Sequence, residues 1–139
     1  WVLAGALSHA FMINEIVIHC SASPNGREDT AEDIHRWHKE KGWDGIGYHH
    51  VIECKGKLSQ GRPEYWQGAH ASGHNKDSLG ICLIGTDVFN VDQMSILESL
   101  LRKLKIKYPG VKIIGHNEIS SKACPGFDVQ KWLVKVGLK

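Results

Sequence analysis

Residues 115–128, GHNEISSKACPGFD, set a His, a Glu, a Lys and a Cys in a turn-rich stretch between two regular elements. That is the composition of a metal site rather than of a connector. The apolar run VKII at 111–114 reads as a short buried strand, which puts His116 just past its C-terminal end. Lys122 and Cys124 stand two residues apart, so in an extended segment their ammonium and thiol face the same side. Pro125 cannot donate a backbone hydrogen bond and biases Cys124 toward that extended conformation.

Outward from this stretch the chain alternates strand and helix. EIVIH at 15–19 is a strand rich in β-branched residues, closed by His19 and the turn-forming SASPNG. Thr30 opens a helix with Ile34, Trp37 and His38 on one side and Gly42 as its stop. GIGYHHVIEC reads as a second strand, KGK as a turn, and residues 61–78 as a long polar, aromatic loop of the kind that carries function. LGICLIG at 79–85 is apolar throughout, as expected of a strand covered on both faces. Val91, Met94, Leu97, Leu101, Leu104 and Tyr108 then recur at helical spacing, and Pro109-Gly110 ends that helix. Asp128 caps a last helix with Val129, Trp132, Leu133 and Val136 inward. The pattern predicts one α/β domain: a central mixed, mostly parallel β-sheet flanked by about three α-helices.

The 139 residues suit one domain burying roughly two thirds of its unfolded surface. A net charge of +2 is too small to argue for nucleic acid, although nine His residues would raise it in acid. Residues 1–11, WVLAGALSHAF, are too short to span a bilayer and are read as an N-terminal extension (a tag, an arm or the tail of a processed signal), with Met12 a natural start and 12–139 the folded domain. Cys54 and Cys82 read as small buried hydrophobes, while the spacing of the four cysteines leaves pairing open.

His19 and His116 both lie at the ends of buried strands, and parallel strands present those ends along one edge, where α/β proteins bind ligands. If the two strands are parallel and adjacent, the imidazoles converge and Cys124 joins them. Two His and one Cys suit a single Zn2+ with the fourth position open, the catalytic arrangement. Cys20 competes as a ligand, but strand alternation points it away from His19, so at most one of the two joins. Tyr48 and Lys122 are the neighbours suited to stabilising charge at a tetrahedral centre. Glu118 is either a general base or a carboxylate holding a histidine.

The segments VIHCSAS, IHRWHKEKGWDGIGYHHVI, GAHASGHNKDSLGICLIG and GHNEISSKACPGFD, in this order, resemble the zinc-dependent N-acetylmuramoyl-L-alanine amidases of the type 2 family. That family includes small phage lysozymes of the T7 type and animal peptidoglycan recognition proteins, and the likeness covers about residues 13–133. It implies His19, His116 and Cys124 as zinc ligands and Tyr48 and Lys122 as catalytic side chains. It also places His70 along the substrate groove; Asn75, Trp66 and Trp37 are further groove candidates. The implied activity is hydrolysis of the amide between N-acetylmuramic acid and the L-Ala of the stem peptide.

The implied partner is therefore peptidoglycan, met by a monomer that neither binds nucleic acid nor inserts in membrane. A phage-type endolysin would stay in the host cytoplasm until released to the cell wall; secretion or a periplasmic location is the alternative. The rival functions are a muropeptide-binding module that does not cut, and an amidase that also regulates a phage RNA polymerase.

Overall fold

The computed structural model describes residues 13–139, so the extension read at 1–11 and the start at Met12 lie outside the described residues. Five strands form one sheet in the order β3-β2-β4-β1-β5, with β1 at Glu15–Cys20, β2 at His50–Ile52, β3 at Leu58–Gln60, β4 at Ser78–Leu83 and β5 at Lys112–Gly115. β1 runs parallel to both β4 and β5, and β2 runs parallel to β4. Only β3 is antiparallel, to β2. Helices α1 (Ala31–Glu40), α2 (Val91–Lys107) and α3 (Val129–Lys135) complete the expected mixed α/β domain.

Local sequence accounts for where the helices begin. The Thr30 side chain accepts from the Asp33 amide at 3.2 Å, while Asp33 Oδ2 accepts from the Thr30 amide at 2.8 Å, a reciprocal cap. Asn90 and Gln93 make the same exchange at the start of α2, and Asp128 caps α3. Ile16 and Ile18 of β1 pack with Leu97, Leu101 and Leu104 of α2 and with Val129 and Leu133 of α3. The opposite layer, under α1, gathers Ile34, Ile46, Val51, Cys82 and Ile84, with Trp37 and Tyr48 against it. Strand alternation puts His19 on this α1 side.

Four details depart from the sequence reading. The stretch 45–54 forms only three residues of strand, and its chain continues into β3, an edge strand that the sequence does not announce because Leu58 is exposed and no alternation marks it. Val91, the first residue of α2, is 83% exposed rather than inward. The inward place is taken by Gln93, whose Nε2 donates to the carbonyl of Ile84 at 2.9 Å and, more distantly, to that of Ile52 at 3.4 Å, which also accepts from the Ile84 amide at 3.0 Å. Cys54 is half-buried, its thiol directed at the Arg27 carbonyl, whereas Cys82 is fully buried as expected.

Glu64 fastens the long loop to the body of the fold. It accepts hydrogen bonds of 2.7 Å from His50 Nε2, Lys107 Nζ and the Tyr108 hydroxyl. Burial alone would raise its pKa, but these three donors outweigh burial and bring it from 4.5 to about 2. A depressed carboxylate contributes stability above its unfolded pKa and loses it as pH falls through the folded value. Glu64→Gln is therefore expected to cost about 2 kcal/mol at pH 7, the scale of hydrogen bonds to a charged group. Urea midpoints at pH 7 and pH 3 check this: the gap from wild type should narrow at the lower pH.

Candidate active site

The pairing of β1 with β5 builds the site. Ile18 of β1 is in register with Gly115 of β5, so one residue further on His19 and His116 stand side by side. Their ring centroids are 4.4 Å apart. β5 stops there because the chain turns into a short 3-10 turn, His116–Glu118, and the next loop returns Cys124 to the end of β1. The Cys20 amide donates to Cys124 Sγ at 3.0 Å, and His19 Nδ1 lies 3.9 Å from the same sulfur. One ligand atom each from His19, His116 and Cys124 falls within 4.8 Å of the others. That spacing is compact enough for one metal ion.

Electrostatics favour neutral imidazoles here. Burial, reinforced by His70, His116 and Lys122, holds the His19 pKa well below its ordinary value. Burial, with Lys122 and His74, also lowers that of His116. A neutral ring is the form that ligates a cation. The thiols of Cys20 and Cys124 share a hydrogen bond that stabilises one thiolate at the other's expense. It brings Cys20 down to about 7 and, together with burial, pushes Cys124 up. A cation beside Cys124 would reverse that assignment, because coordination deprotonates the thiol. The donor set of two neutral nitrogens and one sulfur therefore fits a zinc-type ion, with room for a fourth ligand.

These atoms open into a cleft of about 280 Å3 that Tyr48, His70, Lys122, Trp37 and Trp43 also line. The Tyr48 ring centroid lies 5.1 Å from that of His19. Burial, with the nearby sulfurs of Cys82, Cys124 and Cys20, raises the phenol's pKa well above its ordinary value, so Tyr48 is a hydrogen-bond donor at neutral pH. Its backbone is held in place by Gly47, where a Cβ would collide with the Ala69 carbonyl. His38 forms part of the same wall, its Nδ1 accepting from the Gly47 amide at 2.9 Å and its pKa lowered to about 4, chiefly by burial. From its sequence context His38 reads only as a packing residue of α1. The signal for more was its helical spacing from Ile34 on the face that also carries Trp37.

Not every expected residue reaches the cleft. Trp66 is 54% exposed and borders a separate depression with His35, Asp44 and Arg62. Asn75 turns its Oδ1 to the amides of His70 and Ala71, at 2.8 and 2.9 Å, and so shapes the loop that carries His70. Glu118 is engaged by the backbone and by α3: Oε2 accepts from the Gly115 amide at 2.6 Å and Gln130 Nε2 donates to both carboxylate oxygens. It therefore braces the backbone at the end of β5 rather than a histidine ring. Cys20 stays outside the three-ligand group, yet it lines the cleft, because its thiol meets Cys124 where β1 ends.

A family model described as N-acetylmuramoyl-L-alanine amidase matches residues 10–127. The chain belongs to this family. It is 40% identical over 128 residues to the endolysin of Escherichia phage T7, covering 86% of this chain and 85% of that protein. The amidase LysC from Clostridium intestinale superposes with a TM-score of 0.84 at 33% identity, covering 94% of this chain and 89% of that one. Tracheal cytotoxin-bound peptidoglycan recognition proteins LCa and LCx have the same fold, with a TM-score of 0.78 at 29% identity over 88% of this chain and 81% of theirs. The protein is thus an enzyme, a peptidoglycan amidase of a typically metal-dependent family. Among the described residues no helix is long and apolar enough to cross a membrane.

If Glu118 only braces the turn, Glu118→Gln keeps an acceptor for the Gly115 amide and should retain activity within about threefold. Loss of a general base would cost roughly 100-fold or more. Digestion rates on purified cell walls distinguish the two.

Proposed function

We propose that the protein is a zinc-dependent N-acetylmuramoyl-L-alanine amidase that frees the stem peptide from the glycan by cutting the bond between N-acetylmuramic acid and L-alanine, acting as a phage-type endolysin released to the bacterial wall. The observation that carries this reading is the approach of His19, His116 and Cys124 to within 4.8 Å in a chain that matches the amidase family. The likeness to endolysins along most of their length supports the lytic role. The presence of Cys124 favours catalysis over mere capture, since a thiolate completes a three-ligand set with one position open.

In this reading His19, His116 and Cys124 hold the ion. Bound zinc would supply Lewis acidity toward the amide carbonyl and make a coordinated water more acidic. Lys122 brings a positive charge to the same cleft, suited to the oxygen that becomes negative as the carbonyl turns tetrahedral. Tyr48 keeps its proton and can donate to the nucleophile or to that oxygen. His70, Trp37 and Trp43 form walls against which the muropeptide is oriented.

Cys124→Ser should abolish release of L-Ala amino termini from purified peptidoglycan, and chelation of the wild type should do the same until Zn2+ is restored. Lys122→Ala is expected to lower kcat by about 100-fold or more, the scale of losing one donor to a developing oxyanion. Full activity in Cys124→Ser, or new reducing sugar ends in place of L-Ala amino termini, would contradict the proposal.

A further inference from the structure

His19 uses only one of its ring nitrogens toward Cys124; the other leads into a chain of hydrogen bonds whose proton positions can be counted. His19 Nε2 lies 2.9 Å from His70 Nδ1, and His70 Nε2 lies 3.2 Å from Ser78 Oγ. The Ser78 hydroxyl is 2.6 Å from the carbonyl of His74. A carbonyl can only accept, so the single proton of Ser78 goes to His74. Toward His70, Ser78 is then an acceptor, and His70 Nε2 must carry a proton. A His70 ring that donates from Nε2 and accepts at Nδ1 takes its hydrogen bond from His19 Nε2. His19 Nδ1, on the side of Cys124, is left with a free lone pair.

The fold fixes the His70 ring in this role. Its plane is perpendicular to that of His19, and a Cβ at Gly80 of β4 would come within 2.5 Å of it, so the sheet leaves that space for the imidazole. Asn75 anchors the backbone of His70 from the other side. Ser78 is itself fully buried at the start of β4. The ring is therefore clamped between a strand and a loop and has no need of substrate to hold its orientation.

We infer that His70, oriented by Ser78, is a positioning residue that sets the tautomer of His19 and makes Nδ1 the ligand atom. This rests on the zinc reading above and assigns His70 a role beyond lining the groove. An outer partner of a metal-bound histidine commonly governs metal affinity about 10- to 100-fold.

The test uses histidine-labelled full-length chain and long-range proton–nitrogen correlation spectra, with and without Zn2+, together with Zn2+ affinity from competition with a chromophoric chelator. Wild type should show His19 protonated at Nε2 in both states. His70→Leu should bind Zn2+ about 10- to 100-fold more weakly, and Ser78→Ala should show a mixture of His70 tautomers. His70→Asn, which retains an acceptor near the Nδ1 position, should recover most of the affinity. A wild-type His19 protonated at Nδ1, or a His70→Leu chain within threefold of wild-type affinity, overturns the inference. If His70→Leu does not fold, the wild-type spectrum decides alone. A wild-type chain that binds no Zn2+ overturns the zinc reading, whereas Zn2+ binding with His19 protonated at Nδ1 overturns this inference only.

Discussion

The parallel pairing of β1 with β5 is the constraint from which the site follows. Because Ile18 faces Gly115 across that ladder, the next residue of each segment is a histidine, His19 still within β1 and His116 opening the turn that ends β5. Burial on both faces holds this register: Ile16 and Ile18 are sealed under α2 and α3, and a one-residue slip of β1 would turn His19 into the apolar layer. The site is thus fixed by the same packing that stabilises the domain. Cys124 comes to the same place from the loop between β5 and α3.

That loop is secured by polar contacts rather than by apolar bulk. Glu118 ties the Gly115 amide to Gln130 at the start of α3, and the Cys20 amide holds the Cys124 sulfur. These contacts stiffen the turn between β5 and α3 without occupying the face of the sulfur that turns to His19 Nδ1. Burial, with the neighbouring rings and Lys122, makes a poor environment for extra positive charge on the two imidazoles, which keeps their nitrogens available as ligands. Lys122, exposed at the rim, adds its charge from the solvent side, where hydration limits the penalty.

Much of this was legible in the chain because it rests on local patterns. Apolar strands ending in His19 and His116, the Thr30 and Asp128 caps and the stretch around Cys124 each announce themselves within a few residues. What was not legible depends on distant pairings. His70 meets His19 across 51 positions of sequence, and no local pattern records that approach. Asn75 reads as a group facing substrate, and Glu118 as a base or a carboxylate on a histidine, because nothing nearby in sequence shows which amides they satisfy. Trp66 suggested a groove by its chemistry, yet the hairpin that carries its loop aims it elsewhere. That hairpin contains β3, the strand too short and too exposed to be read.

The central claim is that His19, His116 and Cys124 together hold one zinc ion with a position to spare. X-ray absorption at the zinc edge of the loaded protein tests it most directly. The account predicts one sulfur at about 2.3 Å with nitrogen and oxygen neighbours at about 2.0–2.1 Å, and loss of the sulfur shell in Cys124→Ser. A shell without sulfur, or one with two sulfurs because Cys20 has joined the ion, would contradict it.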